Sequence, residues 1–226
     1  MKTSISIKCG CGAPIKLEVS GTDDPKDVQC PKCHAAIWFV KPLGDFVGQR
    51  VLSRAFVELK AGDFTLVIVL SAMAVECELA RLFIKWNEVD ALNVAAATPE
   101  QRETWAEQWR KWNSISVRLE KASELLCNSD FNAFVSGEAE LMEDIGGYPD
   151  IQQGTVLPKD FVIKELFHRR NKVVHLGEID FKQHDGETAF MLAVWLFGVM
   201  KRMDDLRLAE LNAKHAASLS GLSSTP

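Results

Sequence analysis

The stretch HRRNKVVHLGE, residues 168–178, gathers His168, Arg169, Arg170, Asn171 and His175 within eight positions of a 226-residue chain. Imidazole exchanges protons near neutral pH and guanidinium neutralises anionic oxygens, so these side chains suit proton transfer beside a phosphate. The same composition suits an ordinary helix C-terminus, where cationic side chains complement the carbonyl end of the dipole. Gly177 fits the position just past such an end, which puts His175 in the last turn and Arg170 well inside the helix. Asn171 and His175 are four residues apart and share a face with His168. Arg170 lies five residues from His175, about 140° around a helix of 3.6 residues per turn. The two converge only if the helix bends or ends between them, or if two copies of the segment face each other.

A second set of reactive side chains lies at the other end of the chain. Four of the six cysteines fall in the first 33 residues, as Cys9-x-Cys11 and Cys30-x-x-Cys33. Each pair can present two thiolates from one tight turn, and four sulfurs suit a tetrahedral zinc ion with no open coordination position. A disulfide pair or free thiols are the alternatives, but a segment of about forty residues has little core and usually needs a metal or cross-links to fold. SISIK and PIKLEV alternate apolar with polar residues and AAIWFV follows the second pair, so short strands are expected. The expectation is a small β zinc ribbon over 1–41 holding one structural Zn2+ per chain. His34 follows Cys33 as a bystander. Six lysines against four acids make the ribbon slightly basic, a balance compatible either with contact to a polyanion or with an ordinary solvated face.

KPLGDFVG, residues 41–48, reads as a linker, and beyond it the apolar period becomes helical. Helices are expected at about 46–60, 64–90, 99–127, 159–176 and 186–212, followed by a flexible tail at 213–226. The segment 64–90 is apolar on nearly every side, which predicts a central helix. Within it Glu76 has only Ala72, Met73, Leu79 and Ala80 as helical neighbours. A carboxylate buried without a partner costs several kcal/mol, so Glu76 either reaches a surface or meets a cation from another helix; Arg169 or Arg170 is the expected cation. Trp105, Trp109 and Trp112 fall at i, i+4 and i+7, a stripe suited to core or partner packing and, alternatively, to stacking bases. Cys77 and Cys127 read as small buried residues, and His168 and His184 as surface residues.

Composition sets the outer limits. Hydrophobic residues make up 47% and charged residues 25%, the profile of a soluble globular protein, and the formal charge of -5 argues against a surface coated with basic residues. The N-terminus lacks the apolar core of a secretory signal, so a cytoplasmic location with reduced thiols is expected. The most apolar run, Ala189 to Met200, is twelve residues, short of the roughly 20 that span a bilayer, so no membrane partner is expected.

Arg170-Asn171-Lys172-Val173-Val174-His175 resembles the R-N-x-x-x-H signature of the HEPN superfamily of helical proteins. The setting is similar too: an apolar helix bearing a glutamate, a helix leading into the motif, and a long apolar helix after it, over roughly residues 46–210. The resemblance implies a mainly α fold, a helical bundle at 46–212 that forms a homodimer so that two motifs line one cleft. In many members it implies a metal-independent endoribonuclease, as found in stress-response, toxin–antitoxin or phage-defence systems. RNA is then the expected partner, with Arg170, Asn171 and His175 catalytic and Glu76 and Arg169 supporting. The competing expectations are a non-catalytic interaction module, in which the ribbon docks a protein partner or nucleic acid, and a small-nucleotide binder.

Overall fold

The computed structural model describes residues 2–8, 14–20, 28–29, 32, 36–37, 47–92 and 98–222. The chain divides into two compact units, 1–46 and 47–226. In the first, β1 (Lys2–Lys8) pairs antiparallel with β2 (Pro14–Ser20), in a register that sets Ile5 opposite Leu17 and Ile7 opposite Ile15. This is the pairing expected when both strands place apolar residues at every second position. A second short pair joins β3 (Val28–Gln29) to β4 (Ala36–Ile37). Cys9, Cys11, Cys30 and Cys33 lie outside the described residues, and the zinc expectation lies there with them.

The second unit is helical throughout its described residues. Helix α1 (Val47–Ala61) turns through Gly62 and Asp63 into α2 (Phe64–Leu92). Gly62 has φ +81°, and Asp63 Oδ1 accepts the Leu66 N–H at 3.0 Å, which caps the start of α2. The two helices approach closely at Gly48, where a Cβ would lie 2.8 Å from the Ala74 carbonyl oxygen. The last helix, α10 (Gln183–Leu222), runs parallel to α2. Phe64 sits over Gly186 at one end, and near the other Asp204 accepts Lys85 Nζ and Trp86 Nε1, each at 2.6 Å, with Arg207 to Asp90 at 3.2 Å. Ile68, Val75, Leu79 and Trp86 of α2 are buried in one core with Leu192, Leu196 and Met200 of α10. The central role expected of segment 64–90 is therefore what the packing shows, and truncating a fully buried leucine such as Leu79 costs about 3 kcal/mol in such a core.

Between these long helices lie α3 (Pro99–Lys111), α4 (Ile115–Cys127), α5 (Phe131–Gly137), α6 (Ala139–Ile145), α7 (Pro149–Gln152), α8 (Pro158–Val162), a π-helical turn (Ile163–His168) and α9 (Arg169–Leu176). Three expectations are corrected. The single helix at 99–127 is broken at Trp112 and Asn113, because the Ser114 hydroxyl accepts the Val117 N–H at 3.3 Å and so caps a fresh helix there. The region after residue 127 carries short helices rather than a plain loop; Asp130 caps α5 by accepting the Ala133 N–H at 2.8 Å. Finally, α10 starts at Gln183 and its backbone continues to Leu222, so most of the segment expected as a tail is helical.

Cys77 and Cys127 are partly exposed rather than fully buried. Among the described residues, no helix is long and apolar enough to cross a membrane.

Candidate functional site on helix α9

Pro158 occupies the first turn of α8, where its missing N–H costs nothing. The helix continues through the π turn, with Phe161, Val162, Leu166 and Phe167 all buried in the bundle. Regular α-geometry resumes at Arg169 and runs without a break to Leu176. Gly177 ends it at φ +67°, where its N–H bonds the Val173 carbonyl at 3.1 Å and the Glu178 N–H bonds the Lys172 carbonyl at 3.3 Å. These are the paired bonds that close a helix through a left-handed residue, the role expected of Gly177.

Two contacts fix how α9 lies on α2. Arg170 Nη2 approaches Glu76 Oε2 at 4.0 Å, and the Thr65 hydroxyl donates to the Ile179 carbonyl at 2.9 Å. Rising sequence on one helix thus meets falling sequence on the other, an antiparallel seating. Glu76 is not stranded: its side chain is 30% exposed, and Arg170, 25% exposed, is the cation it meets. Arg170 Nη1 also donates to Asn171 Oδ1 at 3.0 Å. The guanidinium is therefore held between a carboxylate and an amide at the protein surface, with exposure enough to reach a ligand.

Arg169 has a different environment. It pairs with Glu165 four residues earlier, and its Nη1 lies 2.9 Å from Asp185 Oδ1 at the start of α10. Two carboxylates satisfy it and tie α9 to α10, so it serves the scaffold. Glu165 was legible through the i, i+4 rule; Asp185 was not, because only the tertiary fold brings it near.

His175 and Asn171 are exposed, and among the described residues His175 makes no hydrogen bond or ion pair. Since α9 is unbroken between them, Arg170 and His175 point about 140° apart within one chain. The structure brings Arg170, Asn171 and Glu76 together and leaves His175 apart, so one chain alone does not assemble all four. Around His175 the surface is apolar: Val174, Leu176 and Ile179 are 50%, 77% and 71% exposed. His168 is exposed, as is His184, whose Nε2 lies 3.2 Å from Asp185 Oδ1.

Among the described residues no group of three or more His, Cys, Asp or Glu side chains is placed to hold a metal ion. Fold and site together define a mainly α-helical bundle with an exposed Arg-Asn-His helix end, joined to a small unit of paired strands. No family model, curated protein or solved structure matches the chain.

Proposed function

We propose that the chain is a metal-independent endoribonuclease of the HEPN type, active as a homodimer in which two α9 helices line one cleft. The observation that carries this reading is the division of labour on α9: Arg170 is anchored by Glu76 and Asn171, while His175 stands free on a different face beside exposed apolar residues. A second copy seated on Val174, Leu176 and Ile179 would bring its own His175 and Arg170 to the shared cleft.

In this scheme a ribose 2′-hydroxyl attacks the adjacent phosphorus. The new bond joins the 2′-oxygen to phosphorus and the broken bond releases the 5′-oxygen, giving a 2′,3′-cyclic phosphate and a 5′-hydroxyl. One His175 accepts the 2′-proton and the other donates to the leaving oxygen. Arg170 neutralises charge building on the phosphate oxygens, Asn171 orients that guanidinium, and Glu76 holds it against α2. The four N-terminal cysteines hold a structural Zn2+ that takes no part in the chemistry, and the unit that carries it serves RNA or partner recognition.

The test is incubation of the size-fractionated protein, with chelator present, with end-labelled structured and unstructured RNAs. Wild type should cleave, leaving cyclic phosphate ends, and Arg170→Ala and His175→Ala should each lower the rate by about 10²–10⁴. Wild-type cleavage by both variants would refute the mechanism. The exposed apolar residues beside His175 also favour a second reading, a non-catalytic assembly module. A folded dimer that cleaves none of a broad RNA panel would select it.

A further inference from the structure

On α2 the partly or fully exposed positions Met73, Glu76, Ala80, Ile84 and Glu88 recur every three or four residues and so form one stripe. Its Glu76 end holds Arg170. Toward the other end the stripe becomes one wall of an open cavity of about 420 Å³, within the range of ligand pockets. Ala80, Ile84 and Glu88 face Trp105, Ala106 and Trp109 of α3 across it, with Arg102 and Arg110 alongside.

Helix α3 is built for exposure. No residue of it is buried, and it is held at its start by Pro99 and by reciprocal capping between Thr98 and Gln101. Two of its three tryptophan neighbours are spoken for: Trp109 packs on Phe83 at 5.4 Å with Arg118 over its ring at 4.7 Å, and Trp112 meets Phe83 at 5.0 Å. Trp105 is half-buried and, among the described residues, has no ring or cation partner. The acids along the stripe are already matched, Glu76 by Arg170 and Glu88 by Arg102 at 3.3 Å. Arg110, exposed, bonds only the Ala106 carbonyl at 3.1 Å and has no carboxylate partner among the described residues.

We infer that this cavity is a base subsite for single-stranded RNA, in which Trp105 stacks a nucleobase and Arg110 meets a neighbouring phosphate. The inference rests on the ribonuclease reading above and adds to it the path of the substrate. From Glu76 to Ile84 the helix rises about 12 Å, so a strand with its scissile phosphate at Arg170 reaches the cavity within a few nucleotides along the same stripe. An aromatic face accepts any base, whereas the guanidinium supplies the backbone contact, the combination by which single strands are held without sequence readout.

The experiment measures binding of a fluorescein-labelled single-stranded decauridylate to full-length protein in a His175→Ala background, where cleavage does not obscure the equilibrium. Trp105→Ala should raise Kd about tenfold, Trp105→Phe should recover most of the affinity, and Arg110→Ala should raise Kd several-fold and flatten its salt dependence. Unchanged affinity in both alanine variants, with RNA still bound, would overturn the subsite while leaving the ribonuclease reading intact. No RNA binding and no cleavage by the unmodified protein would overturn both. A change in oligomeric state on Trp105→Ala, seen by sedimentation with RNA affinity unchanged, would also overturn the proposal and assign the groove to a protein contact. Arg110 is exposed, so its variant keeps the test decisive if Trp105→Ala does not fold.

Discussion

Adjacent arginines in this chain have separate duties. Arg169 is fixed by Glu165 and Asp185, both largely covered, whereas Arg170 makes one longer contact to Glu76 and one hydrogen bond to its neighbour. Removing Arg169 leaves two carboxylates facing each other where α9 meets α10, so Arg169→Ala should lower unfolding free energy by about 1–2 kcal/mol in a urea titration. Arg170→Ala should change it by under about 0.5 kcal/mol, since its ion pair is long and partly solvated. A reversal of that order would contradict the assignment of Arg169 to the scaffold. Cys127 offers a separate check on local environment. Burial first, and then Glu138, push its thiol up to about 11 from an ordinary 9.0. The unfolded chain releases that proton first, so the contribution to stability is complete below about 9 and is lost as pH rises toward 11. Iodoacetamide should therefore modify Cys127 in the folded protein far more slowly at pH 8 than after denaturation, and equal rates would contradict the packing around it.

At the scale of elements, what could be read in advance was what local chemistry encodes. The extent of α2 follows from its apolar run, the end of α9 from Gly177, and the meeting of Glu76 with an arginine from the cost of leaving that carboxylate alone. The break between α3 and α4 was missed because apolar and polar positions keep a helical period across it, while Ser114, one small hydroxyl, restarts the helix. The π turn was missed because nothing in the types of residues 163–168 differs from an α-helix; the wider turn follows from burying Phe161, Val162, Leu166 and Phe167 together. Gly177 gives a prediction at this scale. A Cβ there meets no neighbour within 4 Å, so Gly177→Ala carries only the backbone penalty of φ +67°, about 1 kcal/mol, and Gly177→Asn should cost less. Thermal unfolding of both variants checks this, and an alanine variant as stable as wild type would show that α9 ends differently in solution.

For the whole molecule, the division near residue 46 was legible because the apolar period changes there, and the structure separates units at 1–46 and 47–226. Assembly was legible only as a geometric requirement: five residues of regular helix keep Arg170 and His175 apart in one chain. The exposed Val174, Leu176 and Ile179 supply a surface on which that requirement can be met. Leu176→Asp places a charge in such a contact and should shift sedimentation from dimer toward monomer with the helical circular dichroism unchanged, and cleavage should fall with it. A variant that stays dimeric would move the interface elsewhere.

The π turn also decides how this chain tolerates changes in length. A residue added to the exposed turn after α7, near Gly154, would be absorbed by backbone that packs little. A residue lost between Ile163 and His168 would instead close the wide turn into an ordinary one and rotate everything after it by about 100°. Arg170 would leave Glu76, and the Gly177 end would swing away from Thr65. The spacing between Phe161 and Arg170 is thus a counted interval, in which a single-codon deletion would spare the hydrophobic pattern and still dismantle the site.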